Sequence, residues 1–388
     1  MIIGFDASRA FVVERTGTEN YSYNILVNLL QLDRRNAYKI YLRLPEDLVR
    51  KKEPISGWLE SVRKQLPTSQ NYRLVVIRHK RFWTQLGLAR EIWKHPPDVL
   101  FVPAHTLPVI RRRKIKTVVT IHDLGYEYLP QYHQFPQKLW LNRSTEYAVS
   151  HAHKLIAVSE ATKDDLIHKL HAIPDRISVI YEGFGWDNLY KQQISKPGDA
   201  LLTHYALSSQ YLFFLGTVQP RKNLIRVIQA FSLLLKNPHI KDHYPDLKLA
   251  LAGKKGWLSD DIYCEPKRLE IEDRVLFLGH ISDLDAMSLL KGALCFVFPS
   301  LFEGFGLPII EAQALGTPVV TSNKKPMTEI GADACEYVNP EDVQNIADGI
   351  LKVIKDSQYS SLLRKKGLLN VQRFSWRKAA EETLHVLT

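Results

Sequence analysis

The chain has 388 residues, 45% hydrophobic and 24% charged, which is ordinary globular usage in a chain too long for one ordinary domain. That composition excludes a disordered, collagen-like or disulfide-stapled protein. The start, Met1-Ile2-Ile3-Gly4-Phe5-Asp6, and the lack of any apolar run near ~20 residues predict neither an export signal nor a membrane span. The net charge of +11 is unevenly spread: residues 1–185 hold 28 Lys and Arg against 18 Asp and Glu, whereas residues 186–388 hold 24 against 23.

In chain order, short runs rich in Val, Ile, Leu and Phe predict strands at Ile2–Phe5, Lys39–Leu42, Arg73–Ile77, Val99–Val102, Thr117–Ile121, Leu155–Val158 and Ile177–Ile180. A second series follows at Tyr211–Leu215, Leu247–Ala252, Val275–Leu278, Cys295–Phe298, Pro318–Thr321 and Cys335–Val338. None alternates with period two, as expected of strands covered on both faces. Helical patterns separate them, so the fold class is α/β with parallel sheets covered by helices. The series restarts once, after Tyr181-Glu182-Gly183-Phe184-Gly185-Trp186 and a polar stretch to Asp199 that contains Pro197-Gly198. That stretch reads as a linker between two Rossmann-like units, residues 1–185 and 186–373. At the end, Arg373-Phe374-Ser375-Trp376 breaks one helix, Ser375 can cap the next, and Ala379–Leu387 continues it. The cysteines Cys264, Cys295 and Cys335 have no metal-ligand spacing and read as reduced, buried small hydrophobes. A soluble, cytoplasmic protein is expected, with a peripheral position on the inner face of the membrane left open by the charge.

The basic excess falls in Arg50-Lys51-Lys52, Arg78-His79-Lys80-Arg81 and Arg111-Arg112-Arg113-Lys114 followed by Lys116. Each cluster alone is as well explained by a solvated loop. Three in one half, one running into Phe82-Trp83, favour an anionic surface such as a membrane as partner; single-stranded nucleic acid is the less favoured rival.

The strongest motif is Pro299-Ser300-Leu301-Phe302-Glu303-Gly304-Phe305-Gly306-Leu307-Pro308-Ile309-Ile310-Glu311-Ala312. A buried strand ends at Phe298, two glycines allow close backbone approach, and Pro308 suits the first position of a helix. A helix N-terminus there offers N–H groups and partial positive charge to an anion. Glu303 before the helix and Glu311 about a turn inside it can grip different parts of one elongated molecule, such as a nucleoside-diphosphate sugar. A second motif, Leu215-Gly216-Thr217-Val218-Gln219-Pro220-Arg221-Lys222-Asn223, places paired cations at a helix start, where Arg221 offers a planar fork and Lys222 a mobile charge.

Two glutamates seven residues apart around Gly-Phe-Gly-Leu-Pro resemble the signature of the retaining GT-B glycosyltransferases of family four, and the resemblance runs along the whole chain. It implies two Rossmann-like, doubly wound parallel-sheet domains facing a central cleft, the closing helix (residues 374–388) returning to the first domain. It further implies that Glu311 binds the donor ribose, that Glu303 lies by the transferred sugar, and that the backbone of Phe305, Gly306 and Leu307 meets sugar and pyrophosphate. Lys222 matches the diphosphate clamp. Thr217 stands where many members carry Arg, so the clamp is either shared with Arg221 or weaker. Gly216 lies on the same donor-binding loop as that clamp, and Gly253, His280 and Ile281 fall on loops that line the nucleoside pocket in the family. His122, ending a strand in Thr120-Ile121-His122-Asp123, matches the His that contacts the transferred sugar. Asp123 and His105 are assigned to the acceptor side, Asp123 as an orienting or capping group rather than an acid. Gly17, in Arg15-Thr16-Gly17-Thr18, matches the glycine turn beside the donor phosphate, while Thr18 is open between that role and a helix cap.

No Asp-x-Asp pair lies at a strand end to hold a divalent metal, so the expected reaction is metal-independent and needs no cofactor. A hexose leaves a nucleotide-diphosphate sugar with retention and passes to a glycan or lipid-linked acceptor. The wording of the motifs is nearest to bacterial mannosyltransferases of polysaccharide assembly, which makes GDP-mannose the first donor to test. A GT-B nucleotide-sugar epimerase and a non-catalytic sugar-nucleotide or nucleic-acid binding protein are the rivals.

Overall fold

The computed structural model describes residues 1–12, 15, 17–45, 48, 54–68, 71–79, 82–125, 137–184 and 194–388, with only the backbone of 137–141. Arg50-Lys51-Lys52, Lys80-Arg81, Thr16 and Gly185-Trp186 lie outside the described residues. The chain forms two compact units. One comprises Met1–Leu124, His133–Gly185 and Phe374–Thr388; the other comprises Gly125–Tyr132 and Trp186–Arg373.

The first unit is built on seven parallel strands, β1 (Ile2–Asp6), β2 (Ala37–Arg43), β3 (Tyr72–Ile77), β4 (Val99–Val102), β5 (Lys116–Ile121), β6 (Lys154–Ala157) and β7 (Ile177–Val179). Their order is β3-β2-β1-β4-β5-β6-β7. The central strands are buried on both faces, and Val99, Leu100, Phe101 and Val102 of β4 are each 2% exposed or less. That explains the unbroken apolar runs. The helix Gly17–Leu32 buries Tyr21, Ile25, Leu26, Leu29 and Leu30, spaced i, i+4, i+5, i+8, i+9 along one face. It packs on the closing helix Trp376–Leu387, where Tyr21 and the buried Trp376 meet edge to face at 5.9 Å. A Cβ at Gly183 would collide with the Trp376 backbone, so glycine there permits this close approach.

The second unit has six parallel strands, β8 (Tyr211–Leu215), β9 (Lys248–Ala252), β10 (Val275–Gly279), β11 (Cys295–Phe298), β12 (Val319–Ser322) and β13 (Glu336–Val338), ordered β10-β9-β8-β11-β12-β13. Phe214, Phe296 and Phe298 stack across β8 and β11 at 5.7–6.0 Å. The helix Leu224–Lys236 buries Leu224, Val227, Ile228, Phe231 and Leu234 against them. Each such side chain contributes about 1.5–3 kcal/mol by leaving water.

Several local expectations are corrected. Of the stretch from 181 to 199 the two described ends are packed: Glu182 is buried in the first unit, while Pro197 packs on Gly292 and Lys291 donates to the Ile194 carbonyl in the second. Cys264 is exposed, unlike Cys295 and Cys335, because its helix Asp260–Arg268 turns Ile262, Glu265 and Pro266 inward instead. Ser375 precedes the closing helix but makes no side-chain cap, and Thr18 lies inside its helix. Leu307, not Pro308, opens its helix, with Pro308 still in the first turn. Arg221 and Lys222 occupy a short 3-10 turn, Pro220–Lys222, ahead of the helix. Among the described residues no helix is long and apolar enough to cross a membrane.

Candidate active site

In each sheet the strand order reverses at one place, between β1 and β4 in the first unit and between β8 and β11 in the second. Loops leaving the carboxyl ends of two strands diverge at such a switch point and leave room for a ligand between them. The predicted site residues gather around these two places.

In the second unit, backbone hydrogen bonds tie the strand-end loops to one another. Gly216 N–H donates to the Ala252 carbonyl at 2.9 Å, Gly253 N–H to the Gly279 carbonyl at 2.7 Å, and Leu301 N–H to the Arg221 carbonyl at 2.9 Å. A Cβ on Gly253 would run into the Gly216 carbonyl, and both glycines have φ near +150°, a conformation that L side chains rarely adopt. Asn223 closes the Pro-Arg-Lys-Asn turn in the left-handed region with φ 63°, which asparagine tolerates well. Its buried amide donates to the carbonyls of Pro299 and Pro340, at 3.1 and 2.6 Å, and so pins the β8 loop to two others.

At the switch point sits a charge cluster that joins both motifs. Glu303 accepts from Lys222 Nζ at 2.6 Å through one oxygen and from Arg221 at 2.6 Å through the other, and Arg221 also donates to the Phe302 carbonyl at 3.0 Å. Lys222 and Glu303 side chains are each only 8% exposed. Burial alone would push the Glu303 carboxyl up, but the charges of Arg221 and Lys222 outweigh it and hold it below the usual carboxylate range. The group is therefore ionised, and one carboxylate against two cations leaves a net positive charge. The helix Leu307–Ala314 begins just beyond, after Gly306 at φ 113°. Fixed cations and helix N–H groups together form a field suited to an anion.

Glu311 is not part of this cluster. Burial, reinforced by the charge of Asp283, pushes its carboxyl up to about 7. Asp283 opens the helix Asp283–Gly292, whose first turn is capped by Ser282 through the Asp285 N–H. Ile281 and Phe305 are buried, whereas Thr217 and His280 are exposed.

In the first unit, His122 follows β5 and is 8% exposed. Its Nδ1 faces Glu182 Oε1 at 3.1 Å and its Nε2 faces the Pro103 carbonyl at 3.0 Å. Two acceptors suit a ring that donates from both nitrogens, which is the imidazolium form. Burial opposes that state, and the Glu182 hydrogen bond and charge prevail, raising His122 above its ordinary value. His105 stacks on it at 5.8 Å and accepts the His122 backbone N–H through Nε2 at 3.3 Å. Burial, then the charge of His122, pushes His105 down to about 4, so it is neutral. Glu182 thus emerges as a site residue that sequence reasoning missed. Its signal was its place, directly beyond β7 at the same carboxyl edge that marks the other residues.

The β1/β4 switch point is a cavity of about 430 Å³ lined by Asp6, Arg9, Glu19, Arg43, Trp83 and Gln85, among others. Asp6 ends β1, is nearly buried, and is pushed up by burial against the opposing Ser8 hydrogen bonds and Arg9 charge. Arg9 donates to Glu19 at 3.0 Å. Gly17 opens the neighbouring helix, and a Cβ there would meet nothing within 4 Å, so neither packing nor backbone demands glycine. Asp123 is half-buried beside His122. Among the described residues no three His, Cys, Asp or Glu side chains are grouped to hold a metal ion.

The chain is similar to known proteins along most of its length. The family model for glycosyl transferases group 1 matches residues 206–385, and that for glycosyltransferase family 4 matches residues 17–184. The O-antigen chain mannosyltransferase B of Escherichia coli is 31% identical over 273 residues, covering 70% of this chain and 69% of that protein. Among solved structures, a sucrose-phosphate synthase from Thermosynechococcus elongatus superposes with a TM-score of 0.74 at 18% identity, over 99% of this chain and 98% of that one. The Anabaena protein HepE, solved with UDP and glucose, has a TM-score of 0.68 at 19% identity, over 100% and 98%. At such identities the structural likeness shows the fold alone, that of the GT-B glycosyltransferases.

Proposed function

Because the chain belongs to the group 1 and family 4 glycosyltransferases, we propose that it transfers mannose from GDP-mannose, with retention and without a metal, to a growing polysaccharide or its lipid-linked precursor. That it is a glycosyltransferase follows from the family; donor, stereochemistry, metal independence and acceptor are the proposal. The observation that carries it is the Arg221–Glu303–Lys222 cluster at the β8/β11 switch point. Breaking the bond from sugar to diphosphate concentrates negative charge on the leaving group. Cations held rigidly by Glu303 stabilise that charge without having to reorganise during the step.

In this reading Glu303 fixes the two cations in place, and Glu311 receives the ribose hydroxyls. The acceptor hydroxyl attacks the anomeric carbon on the face from which diphosphate departs and gives its proton to a phosphate oxygen. The sugar–oxygen bond to the acceptor forms as the bond to diphosphate breaks, and the electron pair leaves with the nucleotide. Mannose as the transferred sugar is supported by the E. coli relative, whose name describes an O-antigen mannosyltransferase. Incubating the protein with GDP-mannose, a mannose-terminated acceptor and excess chelator should yield GDP and an α-linked product, identified by its anomeric proton resonance. A β-linked product would overturn retention, and activity restored only by added magnesium or manganese would overturn metal independence. An altered nucleotide sugar formed without acceptor would favour an epimerase.

A further inference from the structure

The first unit carries an exposed apolar patch that the transfer chemistry does not use. The segment Trp83–Leu88 runs on into the helix Ala89–Lys94, and Leu86, Arg90, Trp93 and Lys94 share its outer face. Leu86 is 50% exposed and Trp93 49%. The Gln85 side chain ties this segment to the loop after β4: its amide donates to the Leu107 carbonyl at 3.0 Å and its oxygen accepts the Val109 N–H at 2.9 Å. That loop then exposes Val109 at 54% and Ile110 at 61%. Arg112 lies 5.8 Å from the Trp93 ring, and Arg113 and Lys114 follow it in the chain as exposed residues. Arg111 is different, because it is built into the unit through the Pro108 and His151 carbonyls and the Tyr147 hydroxyl. The acidic groups on these elements are already engaged. Glu91 meets His95 at 3.1 Å, and Asp98 takes the Ile2 N–H at 2.6 Å.

Four exposed apolar side chains, one of them tryptophan, are therefore accompanied by Arg112 at the Trp93 ring, by exposed Arg90 and Lys94 on the same helix, and by exposed Arg113 and Lys114 next in the chain. Single exposed apolar side chains are normal on a folded surface, whereas several large ones on linked elements mark an interaction surface. Tryptophan and leucine beside Lys and Arg are the composition of a surface that sits at the boundary between headgroups and acyl chains. The cations fix the sign of the partner.

We propose that this face docks the protein on an anionic bilayer, Leu86, Trp93, Val109 and Ile110 entering the headgroup region while the cations meet lipid phosphates. Gln85 links the patch to the β1/β4 cavity, which it also lines. An acceptor carried on a lipid would so be presented directly to the cavity. Only this last point rests on the glycosyltransferase reading.

The test is sedimentation of the full chain with vesicles of equal phosphatidylglycerol and phosphatidylcholine, compared with phosphatidylcholine alone. Binding is expected to the anionic vesicles at 0.1 M salt and to be released near 1 M, as the Debye length falls from ~10 to ~3 Å. Val109→Ser with Ile110→Ser, and separately Arg112→Gln, Arg113→Gln and Lys114→Gln, should each weaken binding about tenfold or more, with unchanged melting temperature and unchanged GDP affinity. Brominated lipid should quench the tryptophan fluorescence of the wild type, and Trp93→Phe should remove most of that quenching. Equal binding to neutral vesicles, binding indifferent to both sets of substitutions, or a wild-type dimer dissolved by Val109→Ser with Ile110→Ser would overturn the proposal. Docking that persists in a protein lacking any transferase activity would count against the proposed function and leave the surface standing.

Discussion

The two switch points differ in how finished they are. At β8/β11 the ligands of the charge are already made: two cations close on one carboxylate, and backbone hydrogen bonds and Asn223 lock the surrounding loops. At β1/β4 a cavity of about 430 Å³ is left open, and of its lining Arg9 is 53% exposed despite its bond to Glu19. Sheet topology makes a crevice in both, and the residues at the strand ends decide its use. A leaving diphosphate has one charge and one shape, so its site gains from fixed dipoles set in advance. An acceptor differs from enzyme to enzyme, and a roomy polar cavity with an aromatic wall suits that variability.

The largest break in this comparison should come from Glu303→Ala. It strands two cations at a buried position and should cost about 3–5 kcal/mol of stability in urea unfolding, besides abolishing transfer. A loss under about 1 kcal/mol would mean that the cluster is solvated and loose. Next comes Glu311→Gln. A carboxyl near 7 that is to receive ribose hydroxyls must ionise on binding, so wild-type GDP affinity should rise as pH increases from 6 to 8. The Gln variant should bind about 1.5–3 kcal/mol more weakly at pH 8 and show a flat profile in calorimetry. A wild-type affinity independent of pH would remove Glu311 from the nucleotide site.

Glu182→Gln sharpens the same comparison in the first unit, with a smaller effect. The folded value of His122 is raised above 6.5, so the stability it contributes is full below about that pH and is lost as pH climbs through the raised value. The charges and dipoles facing it are Glu182 beyond β7, His105 and the Pro103 carbonyl beyond β4, Asp123 beyond β5, and Tyr21 on the helix Gly17–Leu32. With Gln at 182 the raising charge is gone and burial prevails. The His122 resonances should then titrate at lower pH in the variant, and the alkaline limb of kcat should move with them. A kcat profile that stays in place while the resonances shift would make the pair structural only.

Much of this was legible in the chain. All thirteen strands among the described residues were visible as apolar runs, three with the same bounds and the others displaced at an end by one or two residues, because strands buried on both faces leave no polar interruption. Glu303, Lys222 and Arg221 were legible one by one, but not as a cluster. They stand 81 and 82 residues apart, and only the pairing of β8 with β11 brings them together. Glu182 was hidden because a polar stretch rich in glycine reads as a linker, and nothing local shows that it pairs with His122, 60 residues away. Cys264 was misplaced because a short amphipathic helix buries residues by face, which composition alone does not reveal.

The claim that the nucleotide is held by the pre-assembled switch point is tested most directly by hydrogen exchange on the full chain, with and without saturating GDP. Slowed exchange should appear in the backbone of 216–223, 253–256, 279–281 and 300–311, while the β1/β4 cavity segments 6–12 and 82–88 exchange as before. Protection confined to the cavity segments, with none in the β8 and β11 loops, would contradict the account.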